Sequence, residues 1–376
     1  MSINNIRLGF VGDLKSYHSD NIIKLFKSIN KEIYPLDYSL SNENSIYNIY
    51  NNFYLNSKSK YLRRFYRVYS QLFGVKDSNY EKILKDYIKR YQVDCILAFW
   101  GINAIADIIS IKKIRPQTKV ILNILCHPTG LTPSKVFLQN KFLHLSAKYC
   151  DALVYSSNVM KQYIERNVLR NIKKPYLILP PFFSQDYFPD KRLPPCSCTP
   201  NLVFLGRMDW WAGQPSDNVL SQIESFMNCG IHVYHSDKTG RLPFNEFRHT
   251  FKPMSLLELK NFATQFNASL IIYNLRECRS HDRFRVTIPD RLTASVIFGI
   301  PVAIPRDGYD ACKEFLKDYD AVIEFSSPHE LNKKLSNHEY LINLKNSACV
   351  NSQKYIGERH LNSLYDFILA TVKETI

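Results

Sequence analysis

The nine cysteines of this 376-residue chain form no framework. Only Cys196 and Cys198 lie close together, and one residue between them is too few for the C-x-x-C clip of a structural metal site. An odd set of scattered thiols excludes a disulfide scaffold and fits a reducing compartment. No apolar run reaches the length of a membrane-spanning helix, and no short-period repeat is present. Met1-Ser2-Ile3-Asn4-Asn5 leads directly toward a strand, without the charged and apolar blocks of a secretory leader. Neither His127, which has no second ligand at helical spacing, nor Asp318-x-Asp320, which falls on a helix-to-strand turn, reads as a metal site, so no metal or other cofactor is expected.

Charge is present and unevenly placed. The formal net charge is +15. Residues 1–190 hold 27 Lys and Arg against 14 Asp and Glu, whereas the remainder holds 22 against 20. A basic first half and a nearly neutral second half imply different partners for the two. The densest basic stretch runs over residues 58–73, where Lys58, Lys60, Arg63, Arg64 and Arg67 interleave with Tyr61, Phe65, Tyr66 and Tyr69. Such a segment suits an anionic membrane interface, and it could equally pack on its own domain. Nucleic acid is not the expected partner, because no nucleic-acid module accompanies the stretch.

Short apolar segments alternate with amphipathic ones. Ile6–Val11, Cys95–Phe99, Val120–Leu125, Ala152–Tyr155 and Tyr176–Leu179 read as buried strands, with helices over 80–91 and after Ser19. Prolines 180, 181, 189, 194, 195 and 200 mark a linker. Beyond it, strands at 202–205, 231–234, 269–273, 301–304 and 321–325 alternate with helices at 216–228, 255–265, 309–318 and 361–372. This pattern predicts an α/β protein of two parallel-sheet domains, and in such sheets ligands bind beyond the carboxyl ends of the strands.

Several charged groups fall at those ends. Pro289-Asp290-Arg291-Leu292-Thr293 opens a helix that closes at Gly299, and a helix N-terminus with an arginine in its first turn is an anion site. Arg276, Arg279, Arg283 and Arg285 crowd a loop just before it; the bland reading is a solvated face. Gly206-Arg207 leaves the strand at 202–205, so Arg207 either grips phosphate or lays its stem on Trp210 or Trp211. Asp13 and His18 follow the first strand as a candidate general base or as a cap and a surface histidine. His127 ends another strand as a polar substrate contact or a satisfied strand-end histidine.

Taken in order, these segments resemble a GT-B fold glycosyltransferase of the large group, family-four-like, that uses nucleotide-sugar donors. The resemblance spans nearly the whole chain and rests on Gly12 to His18, Asp94 to Gly101, the strand ending at His127, Asp151 to Ser157, Gly206-Arg207, and Pro289 to Val302. It implies two Rossmann-like domains facing across a cleft. Residues 1–185 would bind the acceptor, 186–200 would be the linker, 201–355 would bind the nucleotide sugar, and 356–376 would return as a helix toward the first domain. It also implies metal-independent glycosyl (hexosyl) transfer to a glycan or lipid-linked hydroxyl, in surface-polysaccharide or glycoconjugate synthesis, at the cytoplasmic face of a membrane. Arg207, Arg283, Arg285, Asp290, Arg291 and Thr293 would hold the donor, and Asp13, His18 and His127 would face the reacting hydroxyl. The chain departs from the group in three places. No lysine follows Gly206-Arg207, Ala294 stands where a ribose-binding glutamate is usual, and Val286 stands near the place of a second glutamate. These departures leave room for a non-catalytic relative acting as a binding subunit.

Overall fold

The computed structural model describes residues 6–12, 17–28, 32–36, 78–100, 104–128, 133–189, 197–206, 219–236, 245–274 and 282–373. The basic stretch at 58–73, Asp13 and Arg207 lie outside them.

The first sheet is built from β1 (Leu8–Val11), β2 (Ile33–Pro35), β3 (Cys95–Phe99), β4 (Lys119–Ile124), β5 (Ala152–Tyr155) and β6 (Tyr176–Ile178), in the order β2-β1-β3-β4-β5-β6. Every pairing is parallel. Helices α1 (Tyr17–Ser28), α2 (Ser78–Tyr91), α3 (Ala104–Ile114), α4 (Pro133–Tyr149) and α5 (Asn158–Ile164) connect the strands, and α5 runs on into a π-helical turn over Glu165–Leu169. The strands are apolar on both faces because both are covered. Val120, Leu122 and Ile124 pack with Leu84, Ile108 and Leu143 from the helices on one side. Leu8, Phe10 and Ile121 face Ile22 and Phe26 of α1 on the other.

The second sheet comprises β7 (Asn201–Phe204), β8 (His232–Ser236), β9 (Arg248–Phe251), β10 (Ala268–Leu270), β11 (Val302–Pro305) and β12 (Val322–Phe325), ordered β12-β11-β10-β7-β8-β9. Its helices are α6 (Leu220–Met227), α7 (Leu256–Ala263), α8 (Asp282–Val286), α9 (Asp290–Ile297), α10 (Asp310–Phe315), α11 (Pro328–Leu335), α12 (His338–Ser352) and α13 (Gly357–Lys373). Helix α13 buries Leu361, Leu364 and Ile368 in the apolar layer of the first sheet, beside α1. The chain enters α13 where Gly357 N–H donates to the Phe183 carbonyl at 3.0 Å.

Three local outcomes differ from the sequence pattern. Arg283 and Arg285 lie on the short helix α8, not on a loop. The strand expected over 269–273 ends at Leu270, because side chains take over the backbone groups beyond it: Arg291 donates to the Ile272 carbonyl, and the Tyr273 N–H donates to the Tyr309 hydroxyl. The helix expected over 309–318 stops at Phe315, where the chain turns so that Tyr319 can bury its ring and donate to the Ile300 carbonyl at 2.8 Å.

Asp94 and Asp151, which carry part of the family resemblance, sit at the amino ends of strands, away from any cleft. Asp94 pairs with Arg7, and Asp151 accepts from Lys112 Nζ at 2.6 Å and from the Val120 N–H at 2.7 Å. Both tie neighbouring strands together at their starts.

Candidate functional site

The carboxyl ends of the two sheets meet. Gly12 leaves β1 at φ +101, and an added Cβ would lie 2.5 Å from the Phe99 carbonyl, so only glycine fits this exit. Cys126 and His127 leave β4, and Ser156 and Ser157 leave β5. Across from them stand α8, the first turn of α9 and α10. Arg283 hydrogen-bonds the Cys126 thiol, and the Asp290 carboxylate acts on the same thiol, whose pKa burial pushes up. Val286 of α8 is fully buried within the apolar cluster of the first domain.

Arg291 is the best-fixed cation here. It is the second residue of α9, whose N-cap is Pro289. One Nη2–H donates to the Ile272 carbonyl at 2.7 Å. Its Cζ lies 4.1 Å from the Tyr273 ring centroid and 5.2 Å from that of Phe204. A Cβ on Gly206 would come within 3.1 Å of Nη1, so the glycine leaves room for the guanidinium. Nε is buried without a partner. The arginine is thus clamped by two aromatic faces and a carbonyl beyond β7 and β10, while the fork retains donor capacity. Burial pushes the Tyr273 hydroxyl pKa up to about 12, so that ring stays neutral beside the cation.

The other expected donor contacts are arranged differently. Thr293 is fully buried, and its Oγ1 has no partner. Asp290 lies exposed in the first turn of α9. Arg283 faces Cys126, but Arg285 is 53% exposed and lies 3.7 Å from Asp310, a surface pair. Of the acceptor-side residues, His18 is the second residue of α1.

His127 is fully buried, and its Nε2–H donates to Asn140 Oδ1 at 2.8 Å. The amide oxygen can only accept, which assigns the proton to Nε2 and leaves Nδ1 as a bare acceptor without a partner. The ring stands edge-on to Trp100 at 5.6 Å and near Tyr163 at 6.4 Å. Burial lowers its pKa to about 4, so it is neutral at pH 7. A neutral imidazole enclosed in this way is suited to positioning the turn after β4 rather than to proton storage. The shift also carries a stability consequence. The unfolded chain binds a proton near pH 6.5 that the folded chain refuses until about pH 4. Stability from this group is therefore complete above pH 6.5 and is lost as pH falls toward 4, by up to roughly 3 kcal/mol. Denaturant titrations of His127→Gln at a series of pH values should show less acid destabilisation across that window than wild type.

Sequence reasoning missed Glu314. From α10 its carboxylate reaches into the first domain and accepts from the N–H groups of Asn158 at 2.8 Å and Val159 at 2.9 Å, and from Asn158 Nδ2 at 2.8 Å. Ser157 accepts from Met160 N–H. The first three N–H donors of α5 are therefore satisfied, two of them by the other domain. Ser157 announces the helix start in the sequence, but nothing there announces its distant partner.

No protein-family model matches the chain, and no curated protein matches it. Solved structures do. A glycosyltransferase from Rickettsia africae matches with a TM-score of 0.59 at 15% identity, over 97% of this chain and 99% of that one. An E. coli trehalose-6-phosphate protein bound with UDP-2-fluoro glucose matches with a TM-score of 0.58 at 10% identity, over 96% and 99%. Sucrose-phosphate synthase from Thermosynechococcus elongatus matches with a TM-score of 0.54 at 10% identity, over 76% and 75%. The chain has the GT-B fold. The GT-B arrangement accounts for the two facing sheets. It also accounts for the place of Arg291 and of the chain turn at His127 on opposite sides of the junction. Among the described residues no group of three or more His, Cys, Asp or Glu is placed to hold a metal ion, and no helix is long and apolar enough to cross a membrane.

Proposed function

We propose that this protein is a glycosyltransferase that moves a sugar from a nucleotide-sugar donor to a hydroxyl of a glycan or lipid-linked acceptor. The observation that carries this reading is the clamped Arg291 guanidinium at the start of α9, facing the junction of two GT-B sheets. As the bond from the anomeric carbon to the diphosphate breaks, charge grows on the leaving oxygens. A fixed cation at a helix N-terminus stabilises that charge without reorganising. Arg291 with Arg283, and Arg207 by sequence, supply the positive charge, so the reading needs no metal. The acceptor oxygen forms the new bond and loses its proton either to Asp13 or His18 or to the leaving phosphate. His127, closed off from solvent and held by Asn140, fixes the chain turn after β4 that faces the acceptor side.

One observation favours a second reading, a GT-B protein that binds without turning over. Val286 and Ala294, where the resemblance expects glutamates, are both buried among apolar side chains. Incubation with a panel of nucleotide sugars and hydroxyl acceptors separates the two. Release of a nucleoside diphosphate with formation of a glycoside supports the transferase. Saturable nucleotide binding with no release supports the binding protein. Neither binding nor release rejects both.

A further inference from the structure

The parallel topology of the first sheet places the carboxyl ends of α2, α3 and α4 and of the π-helical turn beside the amino ends of β3 to β6, opposite the junction with the second domain. Eight cations gather there: Lys89 and Arg90, Lys113 and Arg115, Lys148, Arg170, Lys173 and Lys174. Among the described residues none of them is ion-paired. From the start of β3 to β6 the carboxylates near this end are already taken, Asp94 by Arg7, Asp151 by both Lys112 and Lys119, and Glu165 by Lys161. One cation per helix end is ordinary complement to the helix dipole. Six of the eight, Lys113, Arg115, Lys148, Arg170, Lys173 and Lys174, stand unpaired between β3 and β6 with no free carboxylate among the described residues there, and that is not; on α2, Asp86 stands one turn before Lys89 and Arg90. The second domain shows the contrast, since Asp318 and Asp320 accompany Lys317 ahead of β12.

Tyr149, at the carboxyl end of α4, stands 43% exposed on the same end; Tyr176, which opens β6, is 49% exposed, but its ring turns toward the last residue of β5 and the first turn of α5. Lys161 Nζ lies 4.4 Å over the Tyr176 ring, and Tyr155 lies on it at 6.2 Å. With the ring engaged by both, it offers no clear platform for a nucleobase, which disfavours the stacking that single-stranded nucleic acid uses. Lys161 is itself paired with Glu165 at 3.2 Å, whereas Tyr149 follows the unpaired Lys148, and an amphipathic tyrosine beside an unpaired lysine suits the headgroup layer of a bilayer.

We propose that the amino end of the first sheet is a docking surface for anionic lipid bilayers, reached through Lys113, Lys148, Lys173 and their neighbours, with Tyr149 at the interface. The surface is remote from Arg291 and His127, so docking tethers the protein without using its site. The inference does not depend on the proposed activity.

Flotation of the full chain with phosphatidylcholine vesicles, with and without about one-third phosphatidylglycerol, tests it. Binding is expected to the anionic vesicles only and to weaken as salt is raised. At about 1 kcal/mol per cation near a charged membrane, replacing Lys113, Lys148 and Lys173 by Ala should lower vesicle affinity on the order of a hundredfold. The same change at Lys252, Lys317 and Lys333 of the second domain should lower it little. Circular dichroism melts of both triple variants confirm that they fold. Equal binding to neutral vesicles, no binding, or equal losses in the two triple variants would overturn the proposal. So would displacement from vesicles by an RNA oligonucleotide that binds more tightly through the same three lysines.

Discussion

Arg291→Ala lowers kcat/KM for the nucleotide sugar on the order of a hundredfold, whereas Arg241→Ala changes it by less than about twofold. The expectation follows from how the guanidinium is held. A cation that wanders must be ordered on every turnover, but this one is already fixed by the Ile272 carbonyl and by the rings of Tyr273 and Phe204. Removing it deletes the charge and also leaves the Ile272 carbonyl unpaired, a stability cost of about 1–2 kcal/mol. A melting curve measures that cost separately from catalysis. Arg291→Lys keeps the charge but loses the planar fork and the stacking, so its activity should fall between the two. If the Ala variant turns over like wild type, the leaving group is held elsewhere.

Glu314→Ala frees the first turn of α5 and loosens the two domains. Three hydrogen bonds to one carboxylate are lost, and the N–H groups of Asn158 and Val159 lose their partners. The carboxylate is half-exposed, so about 2 kcal/mol of interdomain stabilisation is the reasonable scale. Hydrogen exchange should speed at Asn158 and Val159 far more than in the strands of either sheet, and labels on the two domains should report a wider separation. Glu314→Gln retains acceptor oxygen without charge and should give a smaller change of the same sign. Unchanged exchange at both amides in the Ala variant would show that the contact holds nothing together. The apolar seat of Val286 in the first domain's core and the packing of α13 on the first sheet then carry the junction.

The architecture was legible in the sequence because its signal is local. Cys95–Phe99 and Ala152–Tyr155 are short runs with no polar interruption, which only a sheet covered on both faces requires. Elements without such a signal escaped: β2 is three residues with a proline at its end, and β9 reads Arg-His-Thr-Phe. Helix α12, with polar residues scattered around it, shows little amphipathic contrast. The site was legible where a backbone feature announces it, as at Pro289-Asp290-Arg291. It was not legible where contacts join residues far apart in the chain. Asn140 fixes the His127 tautomer from within α4, Tyr309 takes the Tyr273 N–H, and Glu314 caps a helix more than a hundred and fifty residues upstream. No periodicity or spacing encodes those pairings. Chemistry expected at Asp13 and Arg207 falls outside the described residues.

A crystal structure of the protein soaked with UDP-glucose, or with whichever nucleotide sugar the panel selects, is the most direct measurement. The account predicts the diphosphate at the first turn of α9, within hydrogen-bonding distance of the Arg291 fork, and the sugar turned toward His127. A nucleotide bound away from α9, or phosphates that leave Arg291 facing only Ile272 and Tyr273, would contradict it.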